Sequence, residues 1–341
     1  MNNFLTLQDL DKANLKKTFL RYGFIIIKKF FDKERILNYL NKFDQTLNIE
    51  NNKNESKVMC DTLNYDEFYL DLILDKNMIK INKSILGEDY KFLQHLDLHA
   101  NQNAHQWHRD LSSKNGGVLE QYNENFLGTK CALYLEVSDS IFSIVSDSAK
   151  SNLKNVLFGK DIYDINNYDK FFNLENDTKI NSDNILFFKP EPGDLVYFDA
   201  RILHAACNVD NNGYPSNNLD QKNKKVIWPT FGANNFYTDC LYQYFRFIRK
   251  DFGTMKYNSK IEGILNSKKL IPNSYENISK DHIDWCQKNV MYGAEHDLCI
   301  YDDESSPAVI NNRLQFIERF SKDSKNDLLK KRQEKIIGNC V

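Results

Sequence analysis

The chain has 341 residues, 41% hydrophobic and 27% charged, with a formal net charge of -2. That balance belongs to a globular protein with room for one large domain or two small ones, and it excludes a strong basic footprint for nucleic acid. No run of eighteen apolar residues occurs, so no membrane span is expected.

Leu7, Leu10, Leu15 and Phe19 fall near one stripe and predict a helix over 7–22, stopped by Gly23. A short apolar run over 24–28 reads as a strand. Asp32 is a candidate N-cap for a helix over 32–47, with Ile36, Leu37, Leu40 and Phe43 turned inward. Residues 65–85 read as a third helix, carrying Phe68, Leu70, Leu72, Ile73 and Met78, and the turn Leu86-Gly87-Glu88-Asp89 follows. Over 90–100, Phe92, Gln94, Leu96 and Leu98 alternate with Lys91, Leu93, His95, Asp97 and His99, the period of a strand. The second set is rich in ionisable groups, which predicts the wall of a wet cavity.

After a turn at 101–104 come Trp107-His108-Arg109-Asp110, then a polar loop over 111–125 containing Gly116-Gly117. Strands are predicted at 129–137, 141–145, 185–188 and 195–198. A turn of Pro190, Pro192 and Gly193 leads into the last of these, and His204 stands at the start of one more. Residues 152–184 are rich in Asp and Asn and read as a surface insertion. A polar loop at 208–223 precedes a strand at 224–229. Aromatic residues over 240–252, helices at 257–269 and 282–289, and a charged helix at 314–337 complete the chain. Repeats and clear linkers are absent, so a catalytic domain over 1–250 with a helical extension over 251–341 packed on it is the simplest organisation. The seven cysteines are scattered, with no Cys-x-x-Cys, and the start of the sequence does not pair a basic region with an apolar one. These features predict reduced thiols in a cytoplasmic protein without a structural zinc.

His108 and Asp110 are two residues apart, so on an extended segment they point the same way. His204 lies 94 residues after Asp110 and closes a three-ligand face if two strands meet. Two neutral imidazoles and a carboxylate on one side of an octahedral ion leave its other positions open, as in non-haem Fe(II) oxygenases. His95-Leu96-Asp97 repeats the spacing; His95, Asp97 and His99 are read as cavity wall, or as partners for a ligand imidazole's second nitrogen. His105 has no assigned role.

Three segments, in order, resemble the phytanoyl-CoA dioxygenase-like branch of the Fe(II)/2-oxoglutarate oxygenases. They are Phe19-Leu20-Arg21-Tyr22-Gly23-Phe24-Ile25-Ile26-Ile27-Lys28, then Trp107-His108-Arg109-Asp110, then the run from Pro192-Gly193-Asp194 to Arg201-Ile202-Leu203-His204. The resemblance spans residues 15–205. It implies a mostly β fold with flanking helices: a double-stranded β-helix barrel of jelly-roll or cupin type. It also implies Fe(II) on His108, Asp110 and His204, with 2-oxoglutarate as cosubstrate. The implied reaction uses dioxygen to hydroxylate an unactivated C–H of a small-molecule substrate or biosynthetic intermediate, with release of succinate and carbon dioxide.

In relatives an Arg on the strand after the distal His holds the far carboxylate of 2-oxoglutarate. Here that strand offers Lys224 and Lys225, and only one can face inward. Lys225, with Ile227 and Pro229 as inward neighbours, is the reading; Arg201, Arg246 and Lys130 are spare candidates. A lysine neutralises a carboxylate without the two-pronged geometry of guanidinium. Tyr134 is a candidate donor to the cosubstrate. Gln102 and Arg109 are candidates for substrate contact, and Trp107 and Trp228 for packing. Where relatives carry a Gly-Pro and a Pro-Gly-Ser-His, this chain has the run from Ile141 to Lys150. That departure and the missing Arg keep two other readings open. One is an oxygenase-like metal-binding or interaction protein that does not turn over 2-oxoglutarate. The other is a cupin-type metal enzyme of another reaction class. No Gly-x-Gly-x-x-Gly, Walker-type loop or Gly-x-Ser-x-Gly occurs.

Overall fold

In the computed structural model the main sheet is entered through a glycine. Asn14 caps α1 (Leu15–Tyr22) by accepting from the Lys17 N–H, and Gly23 ends it in the left-handed region at φ 83°. A Cβ on Gly23 would stand 2.8 Å from Ile202 Cδ1, so cap and packing both require glycine. The structure describes residues 4–11, 14–49, 56–59, 62–102, 109–110, 127–137, 140–146, 148, 185–209, 215–216, 224–248, 257–275 and 279–282. The helix expected over 7–22 is divided, because Leu7–Asp11 form a separate 3-10 turn.

Immediately after Gly23 comes β2 (Phe24–Ile27), buried at every position. It reads as an unbroken apolar run because both of its faces are covered. Asp32 caps α2 (Lys33–Leu47), accepting from the Arg35 N–H as expected. Ile36, Tyr39, Phe43 and Leu47 form the buried stripe of α2. Leu37, expected inward, is one position off that stripe and 51% exposed. The helix expected over 65–85 is broken into α3 (Leu70–Ile73) and α4 (Lys76–Leu86). Asp75 causes the break: its Oδ1 accepts from the Asn77 and Met78 N–H groups and starts α4 afresh.

The large sheet has seven strands, β1 (Phe4–Leu5), β2, β8 (Leu195–Asp199), β5 (Gly128–Glu136), β11 (Lys225–Gly232), β4 (Lys91–Ala100) and β3 (Lys57–Met59), in that order across it. A smaller sheet orders β10 (Pro215–Ser216), β9 (His204–Val209), β6 (Ser140–Val145) and β7 (Ile185–Phe188). All pairings are antiparallel except β1 with β2. The two sheets share no ladder among the described residues, so the result is a pair of facing sheets, not a closed barrel.

Side-chain alternation divides the large sheet into two faces. Ile25, Ile27, Cys131, Leu133, Leu195, Tyr197, Ile227 and Phe231 pack against the helices. Phe24, Ile26, Ala132, Tyr134, Val196, Phe198, Val226 and Trp228 face Phe142, Ile144, Phe188 and Ala206 of the small sheet. Two helices come late in the chain, α5 (Phe236–Ile248) and α6 (Ser259–Ser267). Tyr257, Ile261, Leu265, Leu270 and Tyr275 join the helix-side core, so 257–275 pack onto the same body as the sheet. The insertion expected at 152–184 and the helix expected at 314–337 lie outside the described residues, as does nearly all of 282–289. No described helix is long and apolar enough to cross a membrane.

A candidate metal centre between the sheets

His204 opens β9 and is 3% exposed. Its Nδ1 lies 3.1 Å from the Ile202 carbonyl oxygen. A carbonyl only accepts, so Nδ1 carries a proton and Nε2 is the nitrogen turned to the other side of the ring. Nε2 faces Asp110 Oδ2 at 3.6 Å, beyond hydrogen-bond reach. Two donors each about 2.1 Å from one ion, at angles of ~90–120°, stand ~3.0–3.6 Å apart. The separation therefore suits two ligands of a shared cation. The other carboxylate oxygen of Asp110, Oδ1, accepts from Lys130 Nζ at 3.0 Å. That ammonium also stands 5.1 Å from the Trp228 ring. Phe198 and Phe142 wall the imidazole, with ring centroids at 4.8 and 5.6 Å. Among the described residues no three His, Cys, Asp or Glu side chains gather as a metal site. His108, the expected third ligand, lies outside them, as do Trp107 and His105.

The segments carrying Asp110 and His204 are fastened together beside the pair. Arg109 Nη1 donates to the Arg201 carbonyl at 2.8 Å and to the Ser148 carbonyl at 3.3 Å. Ser148 Oγ accepts the Leu203 N–H at 2.8 Å, and the Val145 N–H donates to the Leu203 carbonyl at 2.9 Å. Arg201 is held by Asp199, with Nε and Nη2 donating to the two carboxylate oxygens at 2.9 and 2.7 Å. Burial pulls the Arg109 pKa down to about 9, against the raising effect of Asp199, while Arg201 lowers it further. Sequence reasoning placed Arg109 only near substrate. The sequence held no signal for its contacts, which are with main-chain carbonyls of segments 39 and 92 residues further along.

The inward face of β11 carries Val226 and Trp228, and that of β5 carries Ala132 and Tyr134. By the same alternation Lys130 and Thr230, paired in register, are inward, and so is Lys224. Lys225 is on the opposite face, which corrects the expected phase. Its ammonium meets Asp44 of α2 at 2.7 Å and Glu136 at 3.0 Å. Ile227, its expected inward neighbour, belongs to the helix-side core. Lys224 Nζ donates to the Gln102 carbonyl at 2.8 Å. Lys224 is six residues from Thr230, the partner of Lys130, or ~20 Å along the strand. Arg201 is committed to Asp199, and the Arg246 side chain is outside the described residues.

Tyr134 is fully buried, and burial drives its pKa well above the usual phenol range, with Asp194 adding to the rise. Neither its hydroxyl nor the Trp228 Nε1–H has a hydrogen-bond partner. On β4, Asp97 pairs in register with Trp228 and His99 with Val226. His99 Nε2 is 3.7 Å from Asp97 Oδ2, and its ring centroid is 5.8 Å from that of Trp228. Asp97 and His99 of β4 therefore look into the space between the sheets, whereas Lys91 donates to the Lys269 carbonyl and Leu93 joins the helix-side core. The His95 side chain lies outside the described residues.

No protein-family model matches the chain, and no curated protein matches it. Among solved structures, HygX from Streptomyces hygroscopicus with nickel and 2-oxoglutarate bound is similar at a TM-score of 0.46 and 11% identity, covering 64% of this chain and 85% of that one. The non-heme alpha ketoglutarate dependent epimerase SnoN from nogalamycin biosynthesis gives 0.44 and 11%, covering 67% and 84%. EctD from S. alaskensis in its apoform gives 0.45 and 11%, covering 65% and 76%. At these values the likenesses carry no weight in the functional reading, which rests on the side chains described above.

Proposed function

We propose that this chain is an Fe(II)- and 2-oxoglutarate-dependent oxygenase that hydroxylates an unactivated C–H of a small molecule, on a fold of the double-stranded β-helix kind. The observation that carries the reading is the approach of a ring nitrogen, His204 Nε2, to a carboxylate oxygen of Asp110 3.6 Å away inside the inter-sheet space. The donor set fits a divalent cation. His204 turns Nε2 toward Asp110, and Asp110 directs one oxygen at it. His204 and Asp110, with His108 from the sequence motif, would hold the ion. When bound, the metal and 2-oxoglutarate supply the oxidation of the C–H bond by dioxygen, with succinate and carbon dioxide as the other products.

The chain's own groups have separable tasks. The Ile202 carbonyl fixes the His204 ring. Phe142, Phe198 and Trp228 keep water from its face. Lys130 offsets the charge of Asp110 and takes over the carboxylate-binding role expected of Lys225, since Lys225 faces the helices and Lys224 is tied down far along the strand. The buried Tyr134 hydroxyl and Trp228 Nε1–H are donors for the oxygens of a ligand in the same space.

Anaerobic titration with Fe(II) and then 2-oxoglutarate tests this. The expected result is a visible metal-to-ligand charge-transfer band, lost in His204→Ala and displaced to higher 2-oxoglutarate concentration in Lys130→Met. Iron binding without the band in the unaltered protein would favour an oxygenase-like protein that does not use 2-oxoglutarate. No iron binding at all would end the proposal.

A further inference from the structure

We infer that Arg109 is a positioning residue for the metal centre, setting the separation of Asp110 and His204 by gripping the chain behind both. The inference rests on the reading of those two residues as ligands. Its basis is where the bonds fall. Arg109 immediately precedes Asp110 in the chain. Its Nη1 reaches the carbonyls of Arg201 and Ser148. Ser148 in turn holds the Leu203 N–H through Oγ, and Leu203 immediately precedes His204. Each ligand is thus followed back by one residue to the same knot, and that knot joins segments more than ninety residues apart in sequence.

The energetics argue against simple packing. Arg109 is 5% exposed, and its Nε and Nη2 have no hydrogen-bond partner. Two guanidinium groups, Arg109 and Arg201, share the neighbourhood of one carboxylate, Asp199, which Arg201 already engages with two nitrogens. A buried, incompletely satisfied cation is a net cost, and an apolar side chain of similar length would fill the space more cheaply. What the guanidinium alone adds is one nitrogen that bonds two carbonyls on two different loops. Groups that orient ligands from behind typically change metal affinity by about 10–100-fold when removed.

Anaerobic Co(II) titration, read by visible absorption, tests the inference in the full chain, Arg109→Met, Arg109→Lys and Ser148→Ala. Each is titrated well below its own metal-free melting temperature, with the fold checked by near-ultraviolet circular dichroism. Expected are Co(II) affinity lowered about 10–100-fold in Arg109→Met, a changed ligand-field spectrum, partial recovery in Arg109→Lys, and a smaller loss in Ser148→Ala. A lower melting temperature with unaltered affinity and spectrum would mean a merely structural role and overturn the inference. If Arg109→Met does not fold, Ser148→Ala decides by the same criterion. Failure of the unaltered protein to bind Co(II) would remove the metal centre itself. That outcome is distinct from one in which the unaltered protein and the variants all bind Co(II) equally well.

Discussion

Two adjacent lysines on β11 have opposite surroundings, and the chemistry assigned to the site depends on telling them apart. Lys225 bridges Asp44 and Glu136, tying α2 to the edges of β5 and β11. The lysine is buried but its partners are 35% and 31% exposed, so solvent screens part of the attraction. Lys225→Met should cost about 1–2 kcal/mol of stability, less than a fully buried pair would, and leave 2-oxoglutarate binding unchanged. Lys130→Met should weaken 2-oxoglutarate binding by tenfold or more, and should also lower stability because Asp110 loses its ammonium partner. Chemical denaturation and cosubstrate titration of both variants measure the contrast. The sequence placed one of the two lysines inward, and the phase it chose was wrong for a physical reason. β11 is buried at every position, so no polar face fixes which residues look between the sheets. Ile227 is indeed inward, but toward the helices. Trp228 was the informative neighbour, because an indole N–H left without a partner marks the polar space. Asp110 and His204 were legible because their spacing and chemistry are local properties of the chain, and the structure brings them together.

At the scale of elements, caps and turns decide more than periodicity does. The longer strands were readable to within a few residues from β-branched runs and alternation, since both are short-range signals, whereas the two- and three-residue strands β1, β3 and β10 were not. The division between α3 and α4 was not. Asp75 falls in an otherwise periodic stretch, where an acidic residue passes for a surface position, and only its hydrogen bonds to Asn77 and Met78 reveal the cap. Gly193 is the reverse case, a turn residue whose necessity the sequence did announce. It has φ +92°, and a Cβ would lie 2.4 Å from the Phe31 carbonyl oxygen. Its N–H donates to the Tyr134 carbonyl, and the Tyr134 N–H returns to Asp194. Asp194 is wholly buried and accepts from the Lys29 and Glu191 N–H groups and from Lys28 Nζ. The turn thus locks the end of β2 to the entry of β8. Gly193→Ala combines a disfavoured backbone with a clash against main chain, so it should cost about 2–4 kcal/mol. A fall in denaturation midpoint of that size, with iron binding retained in the folded fraction, is the expected measurement.

Across the whole molecule, Asp110 and His204 meet only when the two sheets face each other. Asp110 arrives from the stretch between β4 and β5, and His204 from the first position of β9. The unfolded chain has no means of holding them 3.6 Å apart. A cation that binds the native state alone stabilises it by RT ln(1 + [L]/Kd), about 2.7 kcal/mol at a hundredfold excess over Kd. For a chain of this size that is a rise in melting temperature of about 3–5 °C. A chelator should reverse the rise. His204→Ala should abolish it, with some loss of metal-free stability because the buried ring packs on Phe142 and Phe198. Asp110→Asn should abolish it too, again with a lower metal-free melting temperature, because Lys130 loses the carboxylate it faces inside the protein. Melting each variant with and without metal therefore separates a ligand's contribution to metal binding from its contribution to the fold. A metal-dependent rise that survives both substitutions would place the cation elsewhere and leave the pair at Asp110 and His204 without a catalytic role.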